Sequence, residues 1–305
     1  MKTKKAKPII FAILAAALYG INSPLSKLLL AEISPTLMAA LLYFGAGIGM
    51  LVIWLIKKPG NGIEHLEKKQ WPYILGMVVL DIIAPICLMI GLQKTTAANA
   101  SLLNNFEIVA TALISMVFFK EVLSKRLWVA IAVISAASFL LSFEDLSALK
   151  FSLGSLFVLL AAVSWGLENN CTRVLSKKDP FEIVIIKGLA SGAGALVVAL
   201  IVGIGPIEIS YMLWALLLGF VAYGLSIFFY VRAQRDLGAA KTSAFYAFAP
   251  FIGAGLSFLI FRNSPTIVYI IALVLMIIGA YLVATDYRHP HLVDIIFKHN
   301  KNQKE

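Results

Sequence analysis

Long apolar runs separated by short polar clusters fill nearly the whole chain. They lie near residues 8–30, 35–56, 71–93, 97–119, 126–143, 153–175, 180–203, 211–234, 239–261 and 265–284. Each is close to the ~20 residues that a helix needs to cross a hydrocarbon core. Strands of a membrane barrel would be about half as long and would alternate in polarity, which these runs do not. The pattern predicts an all-α integral membrane protein with ten transmembrane helices.

The runs repeat. Ala15-Ala-Ala-Leu-Tyr-Gly20 returns as Ala161-Ala-Val-Ser-Trp-Gly166, and each copy opens five apolar segments, with a cation (Lys27, then Arg173) near the end of the first. Later, Ala97-Ala98 with Ser101, Phe106 and Ser115 is echoed by Ala239-Ala240 with Ser243, Phe248 and Ser257. Five crossings per half force the copies into opposite orientations, so the ten helices read as two inverted five-helix repeats. The expected layout is a basic N-terminus (1–7), a first repeat (8–143), a linker on the far side (144–152), a second repeat (153–284) and a basic tail (285–305).

Composition agrees: 60% of residues are hydrophobic, 14% are charged and mean hydropathy is +0.90. The net charge of +10 is not a nucleic-acid signature, because most of the 26 Lys and Arg fall on the N-terminus, the even-numbered loops and the tail. The positive-inside rule then places both termini in the cytoplasm. Met1–Lys5 followed by an apolar run imitates a secretory signal. Its repeat partner lies mid-chain, so the first helix is expected to stay. Cys87 and Cys171 sit inside spans, and the four His lie in loops or the tail, so neither a metal site nor a cofactor is expected. No phosphate loop, nucleophile elbow or H-E-x-x-H motif occurs, which argues against an enzyme.

Polar positions inside the spans carry the candidate chemistry. At about 100° per residue, Ser101, Asn104, Glu107, Thr111 and Ser115 share an arc of about 120° on the fourth helix. Tyr19, Asn22 and Ser26 share a face of the first helix, and Trp165, Glu168 and Thr172 share the matching face of the sixth. Faces related by the repeat would wall one wet cavity near the midplane. Asp81, Glu107, Glu168 and Lys187 lie deep, where each charge costs roughly 2.5–3.5 kcal/mol on insertion scales. Asp81 is expected to cap a break at Pro85 or to pair with Lys187. Glu107 and Glu168 are candidate proton or solute-cation sites, with Asn169 beside them. Tyr246 and Phe248 could both be core aromatics, and the alignment of Tyr246 with Asn104 favours the cavity for Tyr246. Glycines 45, 47 and 49, and 188, 192 and 194, predict close helix packing. Pro24, Pro85 and Pro250 are possible kinks.

These features resemble the drug/metabolite transporter superfamily, EamA-type branch. The resemblance rests on the two Ala-rich Tyr-Gly and Trp-Gly motifs, on Leu237-Gly-Ala-Ala-Lys-Thr-Ser-Ala244 leading to Pro250, and on Glu121 after the fourth helix. It spans about residues 8–285. It implies a bacterial inner-membrane carrier, most often an exporter of amino acids or other small metabolites, without an ATPase. It also implies a cavity lined by the first, third, fourth, sixth, eighth and ninth helices. Two departures stand out. Ile108 occupies a place usually held by Pro, and Asn263 is the repeat partner of Glu121.

The expected function is a secondary transporter of a small polar or amphipathic solute, an exporter working by alternating access with protons as a candidate coupling ion. The expected partners are that solute and the bilayer. The alternatives are a passive facilitator, a membrane enzyme acting on a lipid-linked substrate, and a scaffold or receptor.

Overall fold

The computed structural model describes residues 2–57, 65–120, 122–145, 150–175, 178–237 and 245–286. Its helices are α1 (Lys2–Gly20), α2 (Asn22–Leu29), α3 (Pro35–Lys57), α4 (Trp71–Lys94), α5 (Ala97–Leu103), α6 (Phe106–Phe119), α7 (Lys125–Leu141), α8 (Leu153–Leu175), α9 (Pro180–Val202), α10 (Ile209–Gly219), α11 (Ser226–Leu237), α12 (Ala249–Phe261) and α13 (Ile267–Ala284). Among the described residues, seven helical stretches are long and apolar enough to cross a bilayer on their own. With α7, α8 and α12 the described elements give ten spans, and three of the ten (the first, fourth and eighth) are interrupted and hold two helices each. The linker between the halves adds a small exception to the all-helical pattern: β1 (Phe143–Asp145) pairs antiparallel with β2 (Lys150–Phe151).

The interruptions correct the expectation of continuous spans. The first span changes at Ile21, between α1 and α2. Pro24 has no N–H, so the carbonyl of Gly20 loses its helical donor there. The fourth span breaks at Asn104-Asn105 without any proline. There Asn105 N donates to Leu102 O (3.0 Å), Glu107 N to Asn104 O (3.1 Å) and Ile108 N to Asn105 O (3.1 Å). These are three-residue bonds where four-residue bonds would continue the helix. In the eighth span, Phe220–Leu225 forms a π-helical segment between α10 and α11. Pro85, by contrast, sits inside an unbroken α4, and Pro250 lies in the first turn of α12, where a missing N–H costs nothing.

Helices pair across the halves. α1 packs on α11, α4 on α8, α3 on α9, α5 on α12 and α7 on α13. In spans, the first meets the eighth, the third meets the sixth, and the second, fourth and fifth each meet their own repeat partner. The repeat axis therefore exchanges the first two pairs and passes through the other three. At the α3–α9 crossing a Cβ on Gly188 would lie 2.3 Å from Gly47 N, and one on Gly47 would lie 2.6 Å from Leu189 N. Only hydrogen fits there, which is the close approach the glycine pattern predicts. Large apolar side chains such as Ile56, Ile201 and Ile267 point outward, as lipid-facing groups do.

Two ends show the repeat in detail. α6 and α12 both stop on a left-handed residue, Lys120 and Arg262, each at φ 53°. Lys27, half-buried on α2, donates to the carbonyls of Leu92, Gln93 (3.2 Å) and Thr95 (2.9 Å). It thus neutralises the negative end of α4, a capping role that its position alone did not reveal.

Candidate translocation site

The deep charges meet where the halves face each other. Lys187 on α9 lies 3.2 Å from Asp81 on α4 and 2.9 Å from Glu168 on α8. Asp81 and Glu168 are 0% and 1% exposed, and Lys187 6%, so the trio is out of solvent. Tyr43 on α3 donates its hydroxyl to Asp81 Oδ1 at 2.7 Å, and Thr172 donates to Glu168. Asp81 therefore pairs with Lys187 and is not a cap for Pro85. Glu168, the second partner of Lys187, was not anticipated in that role.

Glu107, in the first turn of α6, accepts a bond from Asn169 Nδ2 of the second half at 2.6 Å. Thr111, one turn on, faces the same amide at 3.4 Å. The five-residue stripe of the fourth span divides at the helix break. Glu107 and Thr111 turn to Asn169, Ser101 and Asn104 line a separate cavity, and Ser115 bonds its own turn at Ala112 O (2.9 Å).

The first and sixth spans keep the repeat register in their bonding. Ser26 donates to Asn22 Oδ1 at 3.0 Å, four residues back, just as Thr172 donates to Glu168. Asn22 Nδ2 donates to the hydroxyl of Tyr223 at 3.1 Å. Counted back without a gap from Ala97 and Ala239, Asp81 falls opposite Tyr223. The neutral Asn22–Tyr223 contact and the charged Glu168–Lys187–Asp81 contact thus occupy matching places.

Aromatic rings fill the space between these walls. Tyr19 lies 6.4 Å from Trp165, 5.9 Å from Tyr223 and 5.5 Å from Tyr246, centroid to centroid, and Tyr223 lies 5.2 Å from Tyr43. A cavity of about 10 Å³ remains, lined by Tyr19, Gly20, Ser23, Ser101, Asn104 and Pro250 among others. The space expected to be a cavity between these walls is largely filled by aromatic rings around Tyr19. Phe248 is 60% exposed and is not a core aromatic, which corrects that reading. Tyr43 and Tyr223 were missed. Aligning the third span with the eighth would have exposed Tyr223, whereas nothing in the apolar run of α3 marks Tyr43. Glu121 and residues 238–244 of the ninth-span motif lie outside the described residues.

Loop contacts join the halves at one end of the helix bundle. Lys178 reaches Glu67 at 2.8 Å, Leu66 N donates to Glu182 Oε2 at 3.0 Å, and His65 lies 3.4 Å from the same carboxylate. Bonds from Lys178 and then Lys69 hold the Glu67 carboxyl down from 4.5 to about 2. A depressed carboxyl contributes stability that is complete above its unfolded value and disappears as pH falls through the folded one. The melting difference between the natural protein and Glu67→Gln should therefore be constant above pH 4.5 and close towards pH 2, as thermal unfolding in detergent can read. At the opposite end a cleft of about 340 Å³ is lined by Glu32, Pro206, Ile207, Glu208 and Tyr211.

The chain matches the EamA-like transporter family over residues 6–143 and again over 152–285. It belongs to that family. The two EamA matches correspond to the two halves that interleave in the fold, and they make the protein a multi-pass membrane transporter of the drug/metabolite kind. It is 27% identical over 289 residues to an uncharacterised transporter of Methanothermobacter thermautotrophicus, covering 88% of this chain and 84% of that protein. It is 24% identical over 282 residues to the uncharacterised transporter YyaM of Bacillus subtilis strain 168, covering 89% and 91%. A solved crystal structure superposes with a TM-score of 0.67 at 18% identity, covering 92% of this EamA chain and 98% of the other, which shows the shared fold.

Proposed function

We propose that the protein is a secondary exporter of a small metabolite, an amino acid or related polar or amphipathic solute, in a bacterial inner membrane with both termini cytoplasmic. It works by alternating access without ATP and without chemistry on its cargo. The observation that carries this reading is the ionic junction between the halves. Lys187–Asp81 and Asn169–Glu107 each join one repeat to the other. Rocking one bundle against the other must break or reshape these contacts, so their free energy is coupled to the transport cycle.

The bookkeeping of charge supports a cationic passenger. With all groups ionised, Lys187 offsets one of its two carboxylates, and Glu107 adds a further negative charge. A proton or a cationic group on the solute supplies the missing positive charge, and exchange of one for the other gives a coupled cycle. Tyr19, Asn22, Asn104, Trp165, Asn169 and Tyr246 then shape the space around the solute. The joined loop end and the acidic cleft opposite suit a state closed on one side of the membrane.

Glu107→Gln tests the reading. Gln keeps an oxygen for Asn169 and removes the charge, so expression and insertion should persist. Transport should fall roughly tenfold to a hundredfold, the worth of one charge-assisted hydrogen bond. The measurement is metabolite efflux from proteoliposomes with and without an imposed pH step. Unchanged flux and pH response would remove Glu107 from the mechanism. Flux indifferent to the pH step in the natural protein would favour a passive facilitator.

A further inference from the structure

We propose that the small cavity at the junction of the helix breaks is a binding site for an alkali-metal cation of sodium size. Three spans change character around it. α1 gives way to α2 at Gly20–Ile21, α5 gives way to α6 at Asn104-Asn105, and α12 begins at Ala249-Pro250. Gly20, Ser23, Ser101, Asn104 and Pro250 line the space.

The local chemistry is an excess of oxygen acceptors over N–H donors. Pro24 lacks an N–H, so the carbonyl of Gly20, four residues earlier, loses the donor a regular helix would supply. Ser101 Oγ and Asn104 Oδ1 have no hydrogen-bond partner, although their residues are only 2% and 6% exposed. Leaving such atoms unmet inside a protein costs about 1–3 kcal/mol each, so a lining of this kind calls for something that receives electron pairs. The groups named are hydroxyl, amide and carbonyl oxygens with no carboxylate, imidazole or thiol among them. Neutral oxygens suit a hard monovalent cation. A divalent ion would seek charged oxygens, and a transition metal would seek nitrogen or sulfur. Interrupted membrane helices supply coordinating carbonyls in this way. The cavity, about 10 Å³, has room for one such ion and leaves none for a whole metabolite.

The site goes beyond the carboxylates invoked for transport, and its test needs neither solute nor gradient, so the two readings can fail separately. The purified chain in detergent is unfolded thermally in sodium, potassium, methylammonium or choline chloride at equal ionic strength. Sodium should raise the melting temperature saturably by roughly 2–5 °C over choline, the size expected when the ion is at about ten times its dissociation constant. Ser101→Ala should abolish the sodium shift without lowering stability in choline, because it deletes a hydroxyl that has no partner. Ser257→Ala should keep the shift, since that hydroxyl already donates to Gly253 O at 2.7 Å. Equal melting in all four salts would overturn the proposal, leaving water as the occupant. So would a shift seen with methylammonium alone, or a sodium shift that survives Ser101→Ala.

Discussion

Lys187→Met is expected to be the most damaging single exchange in the charged junction. It removes the cation that lies 3.2 Å from Asp81 and 2.9 Å from Glu168, and it leaves both carboxylates buried beside an apolar chain. Breaking one side of a buried ion pair typically costs about 3–5 kcal/mol, since the surviving charge has lost its partner and cannot regain water. The hydrogen bonds from Tyr43 to Asp81 and from Thr172 to Glu168 remain, and soften the loss without replacing a full positive charge. Thermal unfolding of the purified variant should show a large drop, and transport should vanish. Removing the stranded charges should restore folding: Lys187→Met with Asp81→Asn and Glu168→Gln is expected to melt near the natural protein while staying inactive. A Lys187→Met variant that is as stable as the parent would show that the trio does not hold the charges it displays.

The second large effect belongs to the α3–α9 crossing. Gly188→Ala places a methyl group 2.3 Å from Gly47 N and 2.4 Å from Gly47 Cα. Both are backbone atoms, so no rotamer change can relieve the contact, and the helices must separate. Overfilling a packed interior costs about 1–3 kcal/mol even where side chains can move, and here they cannot. The expected result is loss of most folded protein from the membrane fraction, read by size-exclusion profile. Gly255→Ala provides the control: nothing lies within 4 Å of its added carbon, and alanine favours helix by about 1 kcal/mol, so that variant should be at least as stable. Equal behaviour of the two variants would mean that the close approach does not matter.

Much of this architecture was legible because lipid imposes a simple rule. Every backbone group must bond within its own segment, so spans appear as long apolar runs, and a repeated motif shows their division into two sets. The same rule hides the breaks. Asn104 and Asn105 lie in an otherwise helical pattern, and only the shift to three-residue bonds reveals that the span is cut there. Periodicity put Ser101, Asn104, Glu107 and Thr111 on one face, but the cut sends the first two to the cavity and the last two to Asn169. The Lys187–Asp81 pair could be anticipated because deep charges seek opposite partners. Glu168 as its third member could not, since the depth and rotation of α4, α8 and α9 are set by packing. Phe248 misled for a related reason: aromatic side chains in a membrane span suit lipid as well as an interior.

The interleaving of the halves also bears on what a change in one copy does. Because the main neighbour of each span belongs to the other copy, an exchange on one half is felt first across the joint. Asn22 with Tyr223, and Glu168 with Asp81 across Lys187, are twin joints at matching places in the two copies. With both copies in one chain, one joint is ionic while its twin is neutral. A symmetric pair of identical subunits has no access to that specialisation, since any change would appear in both joints at once.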